Sequence, residues 1–234
     1  MVSVNRLRER KSDFLVNNWI MDSGAFTELS RHGAYRSSPE SYAEQINRWG
    51  EIGNLQAAVT QDYMCEDFVL QKTGHTISEH QCLTIDRYLK IRDRAQHYVM
   101  PVLQGFQPAD YANHIQLYAD LLGPEAWVGV GSVCRRNGNP DAIEDVLGAI
   151  KSVRPDLHLH GFGLKITALE RPTVRELLFS SDSMAWSKAG FFEVRRGGMS
   201  AHDPRRALEY AAEVEMLTGI PSFVQPQLFK WWVS

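Results

Sequence analysis

Three aspartates, a glutamine, an aromatic ring and glycine-rich bends stand in this 234-residue chain where short apolar runs give way to polar residues. They are Asp22 in Asp22-Ser23-Gly24-Ala25-Phe26, Asp62 in Gln61-Asp62, Gln104 in Gln104-Gly105, Gly129-Val130-Gly131-Ser132, and Asp182 in Ser181-Asp182-Ser183. A flat polar heterocycle needs donors and acceptors in one plane and an aromatic face against its ring. A carboxylate, the Gln104 carboxamide and the exposed backbone of Gly129 and Gly131 supply such an edge, and Phe26 supplies the stack. That combination reads as a purine pocket. A second carboxylate suits chemistry at the sugar carbon that bears the base. Loss of the base leaves oxocarbenium-like charge, which one carboxylate stabilises or captures while another acid/base group handles the ring proton. Singly, each residue has a plainer use: an aspartate caps a turn and a glycine eases one. Their coincidence at strand ends makes them a candidate site.

The elements that must position these groups follow from periodicity. Apolar runs at Trp19–Met21, Leu55–Val59, Tyr98–Leu103, Trp127–Val133, Leu157–Leu164 and Ser183–Trp186 alternate with amphipathic stretches, the pattern of a parallel sheet with crossover helices. The helical stretches are Pro39–Ile52, Ser78–Gln96, Pro108–Leu122, Pro140–Val153, Pro172–Phe179 and Pro204–Leu217. Proline in the first turn suits a helix start, because its φ is already helical and its missing N–H would be unpaired there anyway. Val2–Leu7 and Ser222–Gln225 supply two weaker strands. The sum is a single-domain (β/α)8 barrel of the TIM type over residues 1–234, with irregular terminal strands and its chemistry at the strand ends. An open doubly wound sheet is the competing architecture. It loses support because no Gly-x-Gly-x-x-Gly follows the first strand and no Walker-type loop occurs.

Composition narrows the function class. The chain carries 25 Lys+Arg against 28 Asp+Glu, a net charge of -3, so no bulk positive field holds nucleic acid and any such contact must be local. An odd count of 3 cysteines without a secretory signal argues for reduced thiols. No apolar run approaches the roughly 20 residues of a membrane span. A cytoplasmic protein without membrane contact is the expectation.

The ordered motifs Asp22-Ser23-Gly24-Ala25-Phe26, Pro101-Val102-Leu103-Gln104-Gly105, Gly129-Val130-Gly131-Ser132-Val133-Cys134-Arg135-Arg136, His160-Gly161-Phe162-Gly163-Leu164-Lys165 and Ser181-Asp182-Ser183-Met184-Ala185-Trp186 resemble the tRNA-guanine transglycosylase superfamily. They are most similar to its DpdA-type branch, which inserts 7-deazaguanines into DNA. The resemblance runs from about Trp19 to about Trp186. It implies an α/β barrel and a base exchange in which Asp182 attacks the sugar carbon and guanine leaves. A 7-deazaguanine, with 7-cyano-7-deazaguanine the expected one, then takes its place. It also implies acid/base and base-binding duties for Asp22, a purine-edge acceptor in Asp62, and base reading by Gln104 and the Gly129–Gly131 backbone. Phe26 matches the stacking ring. DNA is the implied partner, and a chain this small implies a helper protein that opens or presents the strand, or single-stranded DNA as substrate.

The chain also departs from that pattern. The tRNA enzymes carry a Cys-x-Cys-x-x-Cys…His zinc site near the C-terminus, and no cysteine follows Cys134 here. Cys65, His75, His80 and Cys82 are ligand types without a compact zinc spacing, so the reading calls for no metal and no cofactor. Arg135, Arg136 and Lys165, together with Arg195 and Arg196, are candidate phosphate contacts around an extruded nucleotide. Trp231-Trp232 suits a barrel floor or an oligomer interface. Two alternatives stay open: a related enzyme acting on a free nucleoside, a nucleotide or tRNA, and a non-catalytic nucleic-acid-binding barrel.

Overall fold

The computed structural model describes residues 1–187, 200 and 203–219. Eight short strands are all parallel to their neighbours: β1 Val2–Ser3, β2 Asn18–Asp22, β3 Asn54–Val59, β4 Val99–Met100, β5 Val102–Leu103, β6 Trp127–Val130, β7 His158–Gly161 and β8 Ser180–Ser181. They form two four-stranded sheets in chain order, β1-β2-β3-β4 and β5-β6-β7-β8. The helices among the described residues are α1 Val4–Leu7, α2 Ala25–His32, α3 Pro39–Gly50, α4 Asp67–Thr73, α5 Ile77–Arg92, α6 Pro108–Tyr118, α7 Pro140–Val153, α8 Ile166–Leu169, α9 Pro172–Leu177 and α10 Pro204–Thr218.

Pro101 divides what the sequence presents as one run. It has no N–H to give a ladder, so the pairing with β3 ends at Met100, whose carbonyl accepts the Thr60 N–H at 3.1 Å. The Pro101 carbonyl instead accepts the Gly129 N–H at 2.9 Å, which starts the second sheet. One extended segment thereby serves both sheets. Among the described residues no pairing joins β8 to β1, so two linked parallel sheets are seen there and not a complete barrel. The Ser222–Gln225 strand and Trp231-Trp232 lie outside the described residues.

Two expected strands are corrected. Val2–Leu7 pairs only through Val2–Ser3, after which the chain turns helical because Val4 and Leu7, three residues apart, bury on one face. The sixth run is strand at Ser180–Ser181, not at Ser183–Trp186. The Ser183 hydroxyl accepts the Ala185 N–H at 3.2 Å, and residues 185–187 are helical. Helices α3, α6, α7, α9 and α10 begin at the expected prolines. The sequence reading contained no equivalent of α2 or α4.

The core lies between sheets and helices. Trp19 and Met21 of β2 meet Tyr42, Ile46 and Trp49 of α3, while Val128 and Leu159 meet Ile143, Leu147 and Ile150 of α7. Strands buried on both faces account for the near-continuous apolar runs. No helix among the described residues is long and apolar enough to cross a membrane.

Candidate active site

Each carboxylate owes its place to strand register. Val2 pairs with Met21 and Ser3 with Asp22, which sets the Ser3 hydroxyl beside the Asp22 carboxyl at the end of β2. Gly24 follows with φ +79° as the cap of α2, a conformation glycine adopts without strain. A Cβ there would meet the Asn5 side chain at 2.3 Å. At the other edge, His160 pairs with Ser180 and Gly161 with Ser181, so the chain delivers Asp182 just past β8. The Gly163 N–H donates to Asp182 Oδ1 at 3.0 Å.

Asp22 and Asp182 line one cavity of about 1110 Å³ together with Asp62, Gln104, Gly131 and Phe26. That volume lies at the top of the ~300–1,000 Å³ range of small-molecule sites and leaves room for a base and its sugar. Burial raises the Asp22 carboxyl above the ordinary carboxylate range. The Ser3 and Gly24 hydrogen bonds oppose that shift, and the charge of Asp182 adds to it. Burial also pushes Asp182 upward, yet the His160 ring, 3.4 Å away, together with the Gly163 N–H brings it below its usual value. The two carboxyls are therefore driven apart, one toward holding a proton and one toward staying ionised.

Asp62 and Gln104 line the same cavity, with Asp62 just past β3, the strand beside β2. Gln104 Nε2 donates to Asp62 Oδ2 at 2.5 Å, and the Ser132 hydroxyl donates to Gln104 Oε1 at 3.1 Å. With its oxygen taken, Gln104 turns its amide protons toward Asp62 and the cavity. Burial pushes Asp62 up to about 7, against the Gln104 hydrogen bond that lowers it. A carboxylate acceptor beside an amide donor complements a ring N–H next to a ring carbonyl.

The chain matches the family described as DpdA, DeoxyPurine in DNA protein A, over residues 1–211. It belongs to the DpdA family. No curated protein sequence matches the chain. The DpdA match spans both sheets and therefore takes in Asp22, Asp62, Gln104 and Asp182.

Other expected site residues of this DpdA chain fall in varied places. Phe26 lines the cavity rim and is 60% exposed, with its ring 6.3 Å from that of Phe68. Ser23 is fully buried and does not line the cavity. The Gly129 and Gly131 N–H groups donate within the sheet, to Pro101 and Leu103, both at 2.9 Å. What these glycines provide is closeness: a Cβ at Gly129 would strike the Phe162 ring at 2.5 Å, and one at Gly131 the Gln104 amide at 2.1 Å. Arg135 lines the cavity with its guanidinium 4.9 Å above the Phe68 ring. Arg136 donates to the Ser132 carbonyl at 2.7 Å and to the Phe106 carbonyl, which ties it to the loop. Lys165 is exposed and does not line the cavity. Arg195 and Arg196 lie outside the described residues.

Cys65, His75, His80 and Cys82 do not assemble, and no group of three or more metal-ligand types gathers among the described residues. Cys65 is buried and Cys82 exposed. Both His80 nitrogens are engaged, with the Met64 carbonyl at 2.7 Å and the Thr73 hydroxyl at 2.8 Å.

Sequence reasoning missed three residues of the site. His160 stands 3.4 Å from Asp182. Phe162 joins the cavity wall over Gly129. Glu66 lines the cavity while only 5% exposed, with Oε2 lacking a hydrogen-bond partner. Burial raises the Glu66 carboxyl, against a hydrogen bond from its own backbone and one with Ser132. The available signal for His160 was its place one residue before the Gly161-Phe162-Gly163 bend; for Glu66 it was an acidic residue four after Asp62.

Proposed function

We propose that this chain is a pentosyltransferase that exchanges guanine in DNA for a 7-deazaguanine, 7-cyano-7-deazaguanine being the expected base. The observation that carries the reading is one cavity lined by Asp22, Asp182, Asp62 and Gln104, with the Gln104 amide donating to Asp62. DpdA membership supports DNA as the acceptor. The free Asp62 oxygen accepts from the N1–H and N2–H side of guanine while Gln104 donates to its carbonyl. A base in a duplex must leave the stack to enter, so a strand-opening partner or a single-stranded substrate belongs to the reading.

The step balances without a cofactor. An Asp182 oxygen bonds to C1′ as the C1′–N9 bond breaks and its electron pair departs with guanine, which takes the proton held by Asp22. The incoming base then gives its N9 proton back to Asp22 and attacks C1′, and the C1′–O pair returns to Asp182. Both aspartates end as they began.

Incubation with labelled guanine and a guanine-containing single-stranded oligonucleotide tests the reading. Wild-type protein should incorporate label. Asp182→Ala should abolish any trapped sugar adduct, and Asp22→Asn should slow exchange by about 10²- to 10⁴-fold while leaving the fold intact. Normal exchange by Asp182→Ala overturns the nucleophile. Mass spectrometry of nucleosides from cells with and without the gene assigns the acceptor: modified deoxyguanosine in DNA supports the reading, and modification confined to tRNA or free nucleotides overturns it.

A further inference from the structure

Asp182 sits at the end of a hydrogen-bonded chain that crosses three strands. Trp127, at the start of β6, donates its indole N–H to Ser180 Oγ at 2.9 Å. An indole N–H can only donate, so the Ser180 oxygen accepts there and its own proton is free for another partner. His160 Nδ1 lies 2.9 Å from that oxygen. With the Ser180 hydroxyl donating to Nδ1, the ring proton belongs on Nε2. His160 is 1% exposed, and its Nε2 makes no hydrogen bond meeting ordinary geometry, but it lies 3.4 Å from Asp182 Oδ1. The order is set by register: His160 pairs with Ser180, and Gly129, two residues past Trp127, pairs with His160.

We propose that His160, fixed through Nδ1 by Ser180 and Trp127, is a positioning residue that presents Nε2–H to Asp182 and holds that carboxylate aimed at the sugar carbon. The proposal rests on Asp182 being the nucleophile. Among the described residues, the titratable groups that face Asp182 are His160 on β7, Asp22 on β2, Tyr210 on α10 and the Met1 amino group beside β1. Burial resists ionisation of Asp182; a donor on its Oδ1 counters it. His160 transfers no proton. Its N–H weakens its hold as Asp182 forms the sugar ester and tightens again as the carboxylate is released, so the same contact assists departure of Asp182 in the second half of the exchange. Contacts of this kind are often long before substrate binds.

Two measurements test it. In guanine exchange into the oligonucleotide, His160→Phe should lower kcat by about 10- to 100-fold, the worth of a hydrogen bond to a charged group. The KM for guanine should stay within about threefold, and the acid limb of the pH profile should move upward because Asp182 becomes harder to ionise. His160→Gln, which restores an N–H donor, should recover much of the loss, and Ser180→Ala should fall between. A folded His160→Phe with wild-type kcat and an unshifted acid limb overturns the proposal. So does a loss confined to KM. Nitrogen NMR of the full chain decides independently of activity and of how His160→Phe folds: a ring protonated on Nε2 is expected, and protonation on Nδ1 alone refutes the proposal. A wild-type protein with no exchange on any acceptor, yet with the Nε2–H ring, sinks the base-exchange reading and leaves the hydrogen-bonded chain standing.

Discussion

Asp62 illustrates how one side chain makes the site sensitive to pH. Its carboxyl is pushed up to about 7 mainly by burial, and in the proposed exchange a guanine edge would bind the ionised form through its N–H groups. Guanine binding should therefore strengthen as pH rises through about 7, seen as a falling KM in exchange assays between pH 6 and pH 8. Stability runs the other way. A carboxyl raised in the folded state binds more protons than in the unfolded chain, so this group's contribution declines as pH climbs from about 4 to about 7. Asp62→Asn should remove the pH dependence of KM and lower kcat/KM by roughly 30- to 100-fold, the worth of a charged hydrogen bond lost to a buried partner. A variant that keeps the wild-type KM profile would show that another group reads the base.

Helix α2 is the element that carries Phe26 to the rim, and a buried carboxylate anchors it. Glu28 is fully buried and accepts from Arg36 Nη2 at 2.9 Å, Arg36 Nε at 3.1 Å and Arg8 Nη1 at 3.2 Å. The Arg36 hydrogen bond, assisted by Arg8, holds its carboxyl down at about 2 despite the opposing effect of burial. A folded-state value below the ordinary 4.5 means that this stabilisation is complete above about pH 5 and is lost as pH falls toward 2. Glu28→Gln should cost about 2 kcal/mol, less than the ~3–5 of a fully buried pair because both arginines reach solvent. Urea titrations at several pH values check this: the variant should show a flatter decline in acid than the wild type, and parallel curves would deny the anchor.

At the scale of the whole molecule, a net charge of -3 meets a polyanionic substrate. Binding then has to come from a few rim groups and the base pocket. Arg135 and Arg10 are cavity-lining cations with their guanidinium groups over the rings of Phe68 and Phe14, and Arg136 is committed to loop carbonyls. Two to three phosphate contacts imply an affinity for single-stranded DNA that falls by about tenfold between 50 and 200 mM salt, against a shallow trend for a mononucleotide. Fluorescence anisotropy with a labelled oligonucleotide measures it. A flat salt response would favour a free nucleoside or nucleotide as the substrate.

The amino-acid sequence by itself determined the local features: parallel strands alternating with helices, five helix starts at prolines, and an aspartate stationed at the end of β2. These follow from periodicity, fixed proline φ and the polarity of strand ends, all of which act over a few residues. Tertiary structure alone decided what depends on partners distant in the chain. Pro101 hands one extended segment from the first sheet to the second because its missing N–H ends one ladder while its carbonyl begins the next. Gly129 and Gly131 spend their N–H groups on those ladders and serve by lacking side chains. His160 reaches Asp182 only because the β7–β8 register sets it beside Ser180. Register is a long-range property: a shift of one residue turns every side chain to the other face, and nothing within a single strand specifies which neighbour it will meet.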